Sequence, residues 1–141
     1  MKRKILIVED NVGLSQIQKD WLSQAGYEAV TAMNEPIARS LIRKTQFDLI
    51  LSDVRLPEGD GISLLEWLRK EKKDIPFIIT TEYVSVPDVV RTIKLGARDY
   101  LPKPVHRDYL LELAEDIFHP VATVRKQERQ LFHRTSPMIL K

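Results

Sequence analysis

The chain has 141 residues, of which 43% are hydrophobic and 30% are charged, a composition typical of one folded domain rather than a disordered segment. It contains no cysteine, which excludes a disulfide framework, thiol chemistry and cysteine-ligated zinc. The net charge of +2 is uneven, because residues 120–141 hold 5 basic residues and 1 acidic residue while residues 1–119 hold 17 and 19. The larger part therefore lacks the basic surface of a nucleic-acid-binding domain.

No apolar run in the sequence approaches the length of a membrane-spanning helix. The basic start, Met1-Lys2-Arg3-Lys4, is followed by only four apolar residues, 5–8, which is too short for a signal-peptide core. We therefore predict a cytoplasmic protein that does not contact a membrane.

Short apolar runs alternate with helical patterns along the first 118 residues. The runs predict strands at 5–8, 27–32, 49–53, 77–81 and 99–101. Asn34, Asp60 and Ser85 are predicted to cap the second, third and fourth helices, and Gly26 to end the first. The inner face of the second helix is predicted to carry Ile37, Ala38, Leu41 and Ile42.

This order of elements, five strands each followed by a helix, predicts an α/β fold with short connections. We expect a doubly wound, five-stranded parallel sheet in the flavodoxin-like order 2-1-3-4-5, with helices on both faces. In that order the first and third strands are neighbours.

Polar residues follow four of the predicted strands, where the strands end. Glu9 and Asp10 follow the first strand, and Asp53 ends the third. Thr81 ends the fourth and Lys103 follows the fifth. Because parallel strands end at one edge of the sheet, where ligands bind in open α/β folds, we expect these side chains to converge there.

Three converging carboxylates repel one another and need compensating cations, of which Lys103 supplies one. A hard divalent ion with oxygen ligands would supply the rest, and Mg²⁺ suits the set better than Ca²⁺ if phosphate is the substrate. A carboxylate can accept a phosphoryl group as a nucleophile, with Lys103 and Thr81 stabilising the transferred oxygens. The sequence shows no obvious second general acid or base for an enzyme that turns over.

These residues lie in segments that resemble the receiver domain of two-component response regulators, whose CheY-like fold is the one predicted above. The segments are ILIVED at 5–10, LILSDVRLPEGDGISLL at 49–65, IPFIITTE at 75–82 and GARDYLPKP at 96–104. They occur in the order and at the separations typical of that family. The resemblance predicts a receiver domain over residues 1–119.

The resemblance implies that a sensor histidine kinase phosphorylates Asp53 in a Mg²⁺-dependent reaction. It implies metal ligands from Asp10, Asp53 and the backbone carbonyl of Arg55, with Glu9 nearby, and a pairing of Lys103 with Asp53. It also implies that Thr81 and Tyr100 form the switch pair and that the bond from Lys103 to Pro104 is cis. The domain would be a phosphoacceptor that assists its own phosphorylation and dephosphorylation rather than an enzyme.

One residue departs clearly from the family pattern. Glu82 follows Thr81 where the family has a small residue, and its charge would oppose an incoming phosphate unless the side chain points to solvent.

The last residues, 120–141, are predicted to form a helical linker towards an output domain that is missing from this chain. Apolar residues seven apart indicate a coiled-coil seam between two copies: Leu110, Ile117, Val124 and Leu131. Pro120 is expected to break the helix near residues 116–119.

The segment 132–137 resembles the junction that precedes the ATPase domain of NtrC-type sigma-54 activators. Contact with DNA would therefore come only through the missing domain.

Two other functions stay open on sequence alone. One is a receiver that acts as an interaction module and does not use phosphate, because the charge of Glu82 keeps phosphate away. The other is a magnesium-dependent phosphatase of a related fold.

A homodimer is expected either through the linker helix or through the face of the fourth helix, fifth strand and last helix.

Overall fold

The computed structural model describes residues 2–120, and places five strands and five helices within them. The strands are β1 (Lys4–Val8), β2 (Glu28–Ala32), β3 (Leu49–Asp53), β4 (Phe77–Thr81) and β5 (Asp99–Pro102). The helices are α1 (Val12–Gln24), α2 (Glu35–Lys44), α3 (Gly61–Lys70), α4 (Val86–Lys94) and α5 (Arg107–Phe118). The predicted linker helix and half of the predicted heptad seam, Val124 and Leu131, lie outside the described residues.

The five strands form one parallel sheet in the order β2-β1-β3-β4-β5, which confirms the predicted topology. β3 is central, and its register pairs Ser52 with Val8 on one side and Asp53 with Thr80 on the other. The carboxyl ends of β1, β3 and β4 therefore lie side by side at one edge of the sheet.

The central strands are buried along their whole length. Every residue of β3 and of β4 is buried, which is the pattern of strands covered on both faces of a parallel sheet. α2 contacts α3 and α3 contacts α4, while α1 packs against β1 and β2. β2 lies at the edge of the sheet, as predicted, and keeps its first residue, Glu28, exposed.

The predicted helix starts are confirmed by hydrogen bonds from backbone amides to the capping side chains. Asn34 accepts from Ile37 N at 2.9 Å, and Asp60 accepts from Ser63 N at 2.6 Å. Such caps satisfy amides that have no partner inside a helix. Gly26 follows α1 with a φ of +97°, a conformation that few other residues adopt at a helix end.

The prediction for the inner face of α2 is wrong at one residue. Ala38 and Ile42 are buried, but Ile37 is 44% exposed, and Glu35 is buried to 4% exposure instead. The apolar pattern could not reveal this, because a carboxylate is buried only where other groups pair with it.

The chain divides into two compact units after Arg107. The first holds the sheet and helices α1 to α4. The second contains α5, whose buried residues are Leu110, Leu113, Ala114 and Phe118. α5 ends at Phe118, two residues before Pro120, which is where the proline predicts a break. Within residues 2–120, no helix has the length and apolar character needed to cross a membrane.

Candidate functional site

The carboxyl ends of β1 and β3 bring the predicted acidic residues together. Glu9, Asp10 and Asp53 each offer a carboxylate oxygen, and these oxygens lie within 4.8 Å of one another. Glu9 and Asp53 are 4% and 7% exposed, whereas Asp10 is exposed. Adjacent parallel strands account for this convergence, because Val8 and Ser52, which precede the acidic residues, are register partners.

Lys103 joins two of the three carboxylates. Its Nζ donates to Glu9 Oε1 and to Asp53 Oδ2, both at 2.7 Å, and the side chain is 9% exposed. Lys103 is fixed at the end of β5, since its backbone amide donates to Thr81 O at 2.7 Å. The peptide bond from Lys103 to Pro104 is cis, as the family resemblance implied.

The charges at this site do not balance. One ammonium faces three carboxylates, and two unit charges 4.8 Å apart repel by roughly 3.5 kcal/mol at an effective dielectric near 20. Burial raises the pKa of Glu9, although hydrogen bonds from Lys103 and Asn11 oppose the shift. Burial alone would lower the pKa of Lys103, but hydrogen bonds to Asp53 and Glu9 outweigh it and raise the pKa. The site is therefore short of positive charge.

The loop between β3 and α3 closes over Asp53. Arg55 N donates to Asp53 Oδ1 at 3.2 Å, and Gly61 N donates to Val54 O at 2.8 Å. A side chain at Gly61 could not be accommodated, because its Cβ would lie 2.2 Å from Asp53 O. Glycine is thus required where α3 begins, and the loop that carries the Arg55 carbonyl stays against the acidic cluster.

The donor set fits a hard divalent cation. All the groups it offers are carboxylate oxygens, which suit Mg²⁺, and none is a nitrogen or sulfur ligand of the kind that zinc prefers. The excess negative charge gives an ion a strong electrostatic reason to bind. The participation of the Arg55 carbonyl as a further oxygen ligand stays a prediction.

The Thr81 hydroxyl is engaged with its own loop. Thr81 Oγ1 donates to Tyr83 O at 3.0 Å and accepts from Tyr83 N at 3.1 Å, which closes a small ring after β4. The Tyr100 hydroxyl is buried and forms no hydrogen bond of standard geometry with any described residue. Burial raises the pKa of Tyr100, and the nearby Ser85 backbone and Thr81 side chain offset only part of the shift.

Two side chains at the rim of the site were not singled out from the sequence. The Arg55 guanidinium lies over the Tyr83 ring, with Cζ 4.5 Å from the ring centroid. Tyr83 is 61% exposed, and the neighbouring Glu82 is exposed too. Nothing in the spacing of Arg55 and Tyr83 predicts this contact, because it depends on the loops after β3 and β4 meeting.

Asn11 also has a role that the sequence analysis missed. Its backbone amide donates to Glu9 Oε2 at 3.1 Å, and its side chain caps α1 by accepting from Leu14 N at 2.9 Å. An asparagine directly before a helical pattern is a cap signal, so this residue could have been found.

Comparison with known proteins agrees with this geometry. The model of the response regulator receiver domain family matches residues 5–115. Transcriptional regulatory protein ZraR of Klebsiella oxytoca is 39% identical over 116 residues, covering 82% of this chain and 26% of that protein. Transcriptional regulatory protein GlrR of Escherichia coli K12 is 30% identical over 138 residues, covering 97% of this chain and 31% of that protein. This chain thus spans about a third or less of the length of these relatives.

Solved structures give the same result for the fold. The non-phosphorylated HemR receiver domain from Leptospira biflexa superposes with a TM-score of 0.78 at 36% identity, covering 84% of this chain and 95% of that one. The family match spans most of the chain, the sheet order is that of the solved receivers, and the acidic residues and the lysine meet where the strands end. The chain therefore belongs to the response regulator receiver domain family.

Proposed function

We propose that this chain is a phosphorylatable switch, in which Asp53 accepts a phosphoryl group from a sensor histidine kinase in a Mg²⁺-dependent reaction in the cytoplasm. The observation that carries the proposal is the unbalanced cluster at the carboxyl edge of the sheet. Three carboxylates lie within 4.8 Å of one another, and Lys103 compensates only one of the three charges.

The residues of the cluster have distinct roles in this proposal. Asp53 supplies the nucleophilic oxygen, which forms a bond to phosphorus as the bond from phosphorus to the donor's imidazole nitrogen breaks. Lys103 holds Asp53 Oδ2 and places a positive charge beside the incoming group. Glu9, Asp10, Asp53 and the Arg55 carbonyl would hold the metal. A bound Mg²⁺ would neutralise the charge on the transferred oxygens.

The contacts of Thr81 support a two-state switch. Its hydroxyl can bind a phosphoryl group on Asp53 only after it leaves the ring with Tyr83, so the two arrangements exclude each other. The Tyr100 hydroxyl is buried near the Thr81 side chain and the Ser85 backbone, so its contacts can change when the loop after β4 moves. Phosphorylation would thus select a second arrangement of this loop.

We propose that the loop transmits this change to α4, which it precedes. α4 exposes apolar residues on a helical spacing, with Val86, Val90 and Ile93 at 72%, 46% and 63% exposure. An exposed apolar helix face suits contact with another protein surface. A homodimer that uses α4, β5 and the last helix, or the linker helix, stays a prediction.

The output is proposed to be transcription control by a domain outside this chain. The relatives named above are transcriptional regulators. Each is at least about three times as long as the part that matches this chain. The resemblance of residues 132–137 to the junction in NtrC-type proteins favours a sigma-54 activator. DNA would be contacted only by the missing domain.

The test is phosphorylation by a small donor. The protein is incubated with acetyl phosphate and Mg²⁺, and intact mass is measured for the wild type and for Asp53→Asn. We expect one phosphoryl adduct that disappears in the variant and with a metal chelator. No adduct on the wild type would contradict the proposal and favour a phosphate-independent interaction module. Rapid multiple turnover of the donor would indicate a phosphatase instead.

A further inference from the structure

A further buried carboxylate, outside the acidic cluster, lies at the far end of the loop that closes over Asp53. Glu35, at the start of α2, is 4% exposed and accepts hydrogen bonds from three groups. Asp60 N donates to Glu35 Oε1 at 3.0 Å, and Ser63 Oγ donates to Glu35 Oε2 at 3.2 Å. The Arg39 guanidinium donates to Glu35 Oε2 and forms an ion pair with it.

The loop is fitted closely around this carboxylate. Gly59 has a φ of +77°, and a Cβ there would lie 2.2 Å from Glu35 Oε1. Glu35 N also donates to Glu58 O at 3.1 Å. The first turn of α2 therefore contacts three consecutive loop residues, 58–60, through both its backbone and its side chain.

Arg39 is itself fixed in place. Its Cζ lies 5.0 Å from the centroid of the Trp67 ring, which belongs to α3 and packs against the core. Glu35 is thus paired with a cation that also contacts α3, and its two oxygens accept hydrogen bonds from the loop and from the start of α3. The pairing is complete within the protein, so this carboxylate does not need an external cation.

The same loop reaches the acidic cluster at its other end. Arg55 pairs with Asp60 in an antiparallel bridge, so the position of Asp60 fixes that of Arg55. Arg55 N contacts Asp53, and the Arg55 carbonyl is the predicted metal ligand. A continuous path of contacts therefore runs from Glu35 through Asp60 to the proposed metal site.

From these contacts we infer that Glu35 is a positioning residue for magnesium binding, because it holds the loop that presents the Arg55 carbonyl to the acidic cluster. The inference rests on the proposed function. Glu35 does not touch the metal or the phosphoryl group; it limits the positions that the loop can occupy. Its removal should weaken metal binding without changing the chemistry at Asp53.

The test compares Mg²⁺ binding by the 141-residue chain and its variants, measured by calorimetry. Glu35→Ala should weaken the affinity roughly tenfold, near the lower end of what is lost when groups that orient metal ligands are removed. Gly59→Ala should weaken it too, because the new methyl group displaces the loop from Glu35. Glu35→Gln should fall between Glu35→Ala and the wild type, since its amide oxygen still accepts from Asp60 N.

Glu66→Gln is the matched control. It also removes a carboxylate that pairs with an arginine, Arg91, but this pair is on the surface and joins α3 to α4 rather than α2 to the loop. Its Mg²⁺ affinity should equal that of the wild type. Circular dichroism confirms folding of each variant, and if Glu35→Ala does not fold, Glu35→Gln and Gly59→Ala carry the test.

A kinetic measurement separates positioning from a merely structural role. In phosphorylation by acetyl phosphate, Glu35→Ala should raise the Mg²⁺ concentration that gives half the maximal rate. The rate at saturating Mg²⁺ should stay within about twofold of the wild type, because loop placement then no longer limits metal occupancy. Amide exchange in residues 54–60, measured without metal, should be faster in Glu35→Ala than in Glu66→Gln.

Two results would overturn the inference. The first is a folded Glu35→Ala protein that binds Mg²⁺ as tightly as the wild type. The second is wild-type protein that does not bind Mg²⁺, in which case the proposed function fails as well. A wild type that binds Mg²⁺, together with an unaffected Glu35→Ala, would refute the role of Glu35 alone.

Discussion

The loop between β3 and α3 has a buried carboxylate at each end, and the two differ in how their charge is satisfied. Glu35 is matched by Arg39 and by two hydrogen-bond donors. Asp53 shares Lys103 with Glu9, and Asp10 adds a third carboxylate. The first site is complete within the protein, whereas the second needs a cation from outside.

The charge balance distinguishes a stabilising contact from a ligand site. A buried carboxylate that has its full set of donors stabilises the fold and fixes its surroundings. A cluster with fewer cations than carboxylates pays a repulsion that only a ligand can remove.

The largest effect is expected at the balanced site. Arg39→Met should lower the free energy of unfolding by about 3 kcal/mol, because it leaves the Glu35 charge buried with only neutral donors. Urea denaturation measures the change. Arg91→Met, which breaks an exposed pair with Glu66, serves as the control and should not change the stability measurably. Equal stability of Arg39→Met and the wild type would show that Arg39 does not balance Glu35.

The unbalanced site should respond to metal instead. Mg²⁺ at about 100 times its dissociation constant should raise the free energy of unfolding of the wild type by about 2.7 kcal/mol. Asp10→Asn should remove most of this gain, because it takes a charged ligand from the cluster. Calorimetric titration and thermal denaturation with and without Mg²⁺ are the measurements. Tight Mg²⁺ binding by Asp10→Asn would contradict the proposed ligand set.

Most of the unbalanced site around Asp53 could be predicted from the sequence, whereas almost none of the balanced site around Glu35 could. Glu9, Asp53 and Lys103 follow apolar runs, so the rule that parallel strands end at one edge brings them together. Glu35 gives no such signal, since an acidic residue in the first turn of a helix is normally exposed and favourable there. Its burial depends on Gly59, Asp60 and Arg39, which meet it only after the sheet has formed.

The same limit explains why Ile37 of α2 is exposed, and it applies to α1 as well. α1 exposes Ile17 at 47% while it buries Ser15 and Gln18, because the packing of the whole layer, and not the local apolar spacing, decides which face is covered. In α3 the apolar spacing and the burial agree, since Ile62, Leu65 and Leu68 lie on one face and are buried.

A smaller effect concerns the pH dependence of the unbalanced site without metal. Because the pKa of Glu9 is raised above 4.5 in the folded state, the folded protein holds its proton to higher pH than the unfolded chain. Glu9 therefore contributes stability below pH 4.5 that is lost as the pH rises through the folded-state pKa.

With a chelator present, Glu9→Gln should consequently become more stable relative to the wild type as the pH rises from 4 towards 7. The change should follow the titration of a single group. The change should be smaller than the gain from Mg²⁺. Thermal denaturation across this pH range tests it, and Glu28→Gln, at an exposed residue, is the control. A constant difference between Glu9→Gln and the wild type would mean that burial does not raise the pKa of Glu9 in the folded protein.

The smallest effect is expected at the rim. Glu82 is exposed beside the site that a negatively charged donor enters, so Glu82→Ala should speed phosphorylation by acetyl phosphate roughly twofold at low salt. The gain should shrink as salt screens the charge. An unchanged rate at low salt would show that the Glu82 side chain lies too far from the path of the donor.

Chemical trapping of the phosphorylated residue tests whether Asp53 is the phosphoacceptor and whether the reaction needs the metal. The protein is treated with acetyl phosphate and Mg²⁺, reduced with borohydride, which converts an aspartyl phosphate to homoserine, and mapped by peptide mass spectrometry. We predict homoserine at position 53 alone, and none when a chelator replaces Mg²⁺. Modification at another carboxylate, or the same yield at position 53 with the chelator, would contradict the claim that the cation-deficient cluster around Asp53 is a metal-dependent phosphoacceptor site.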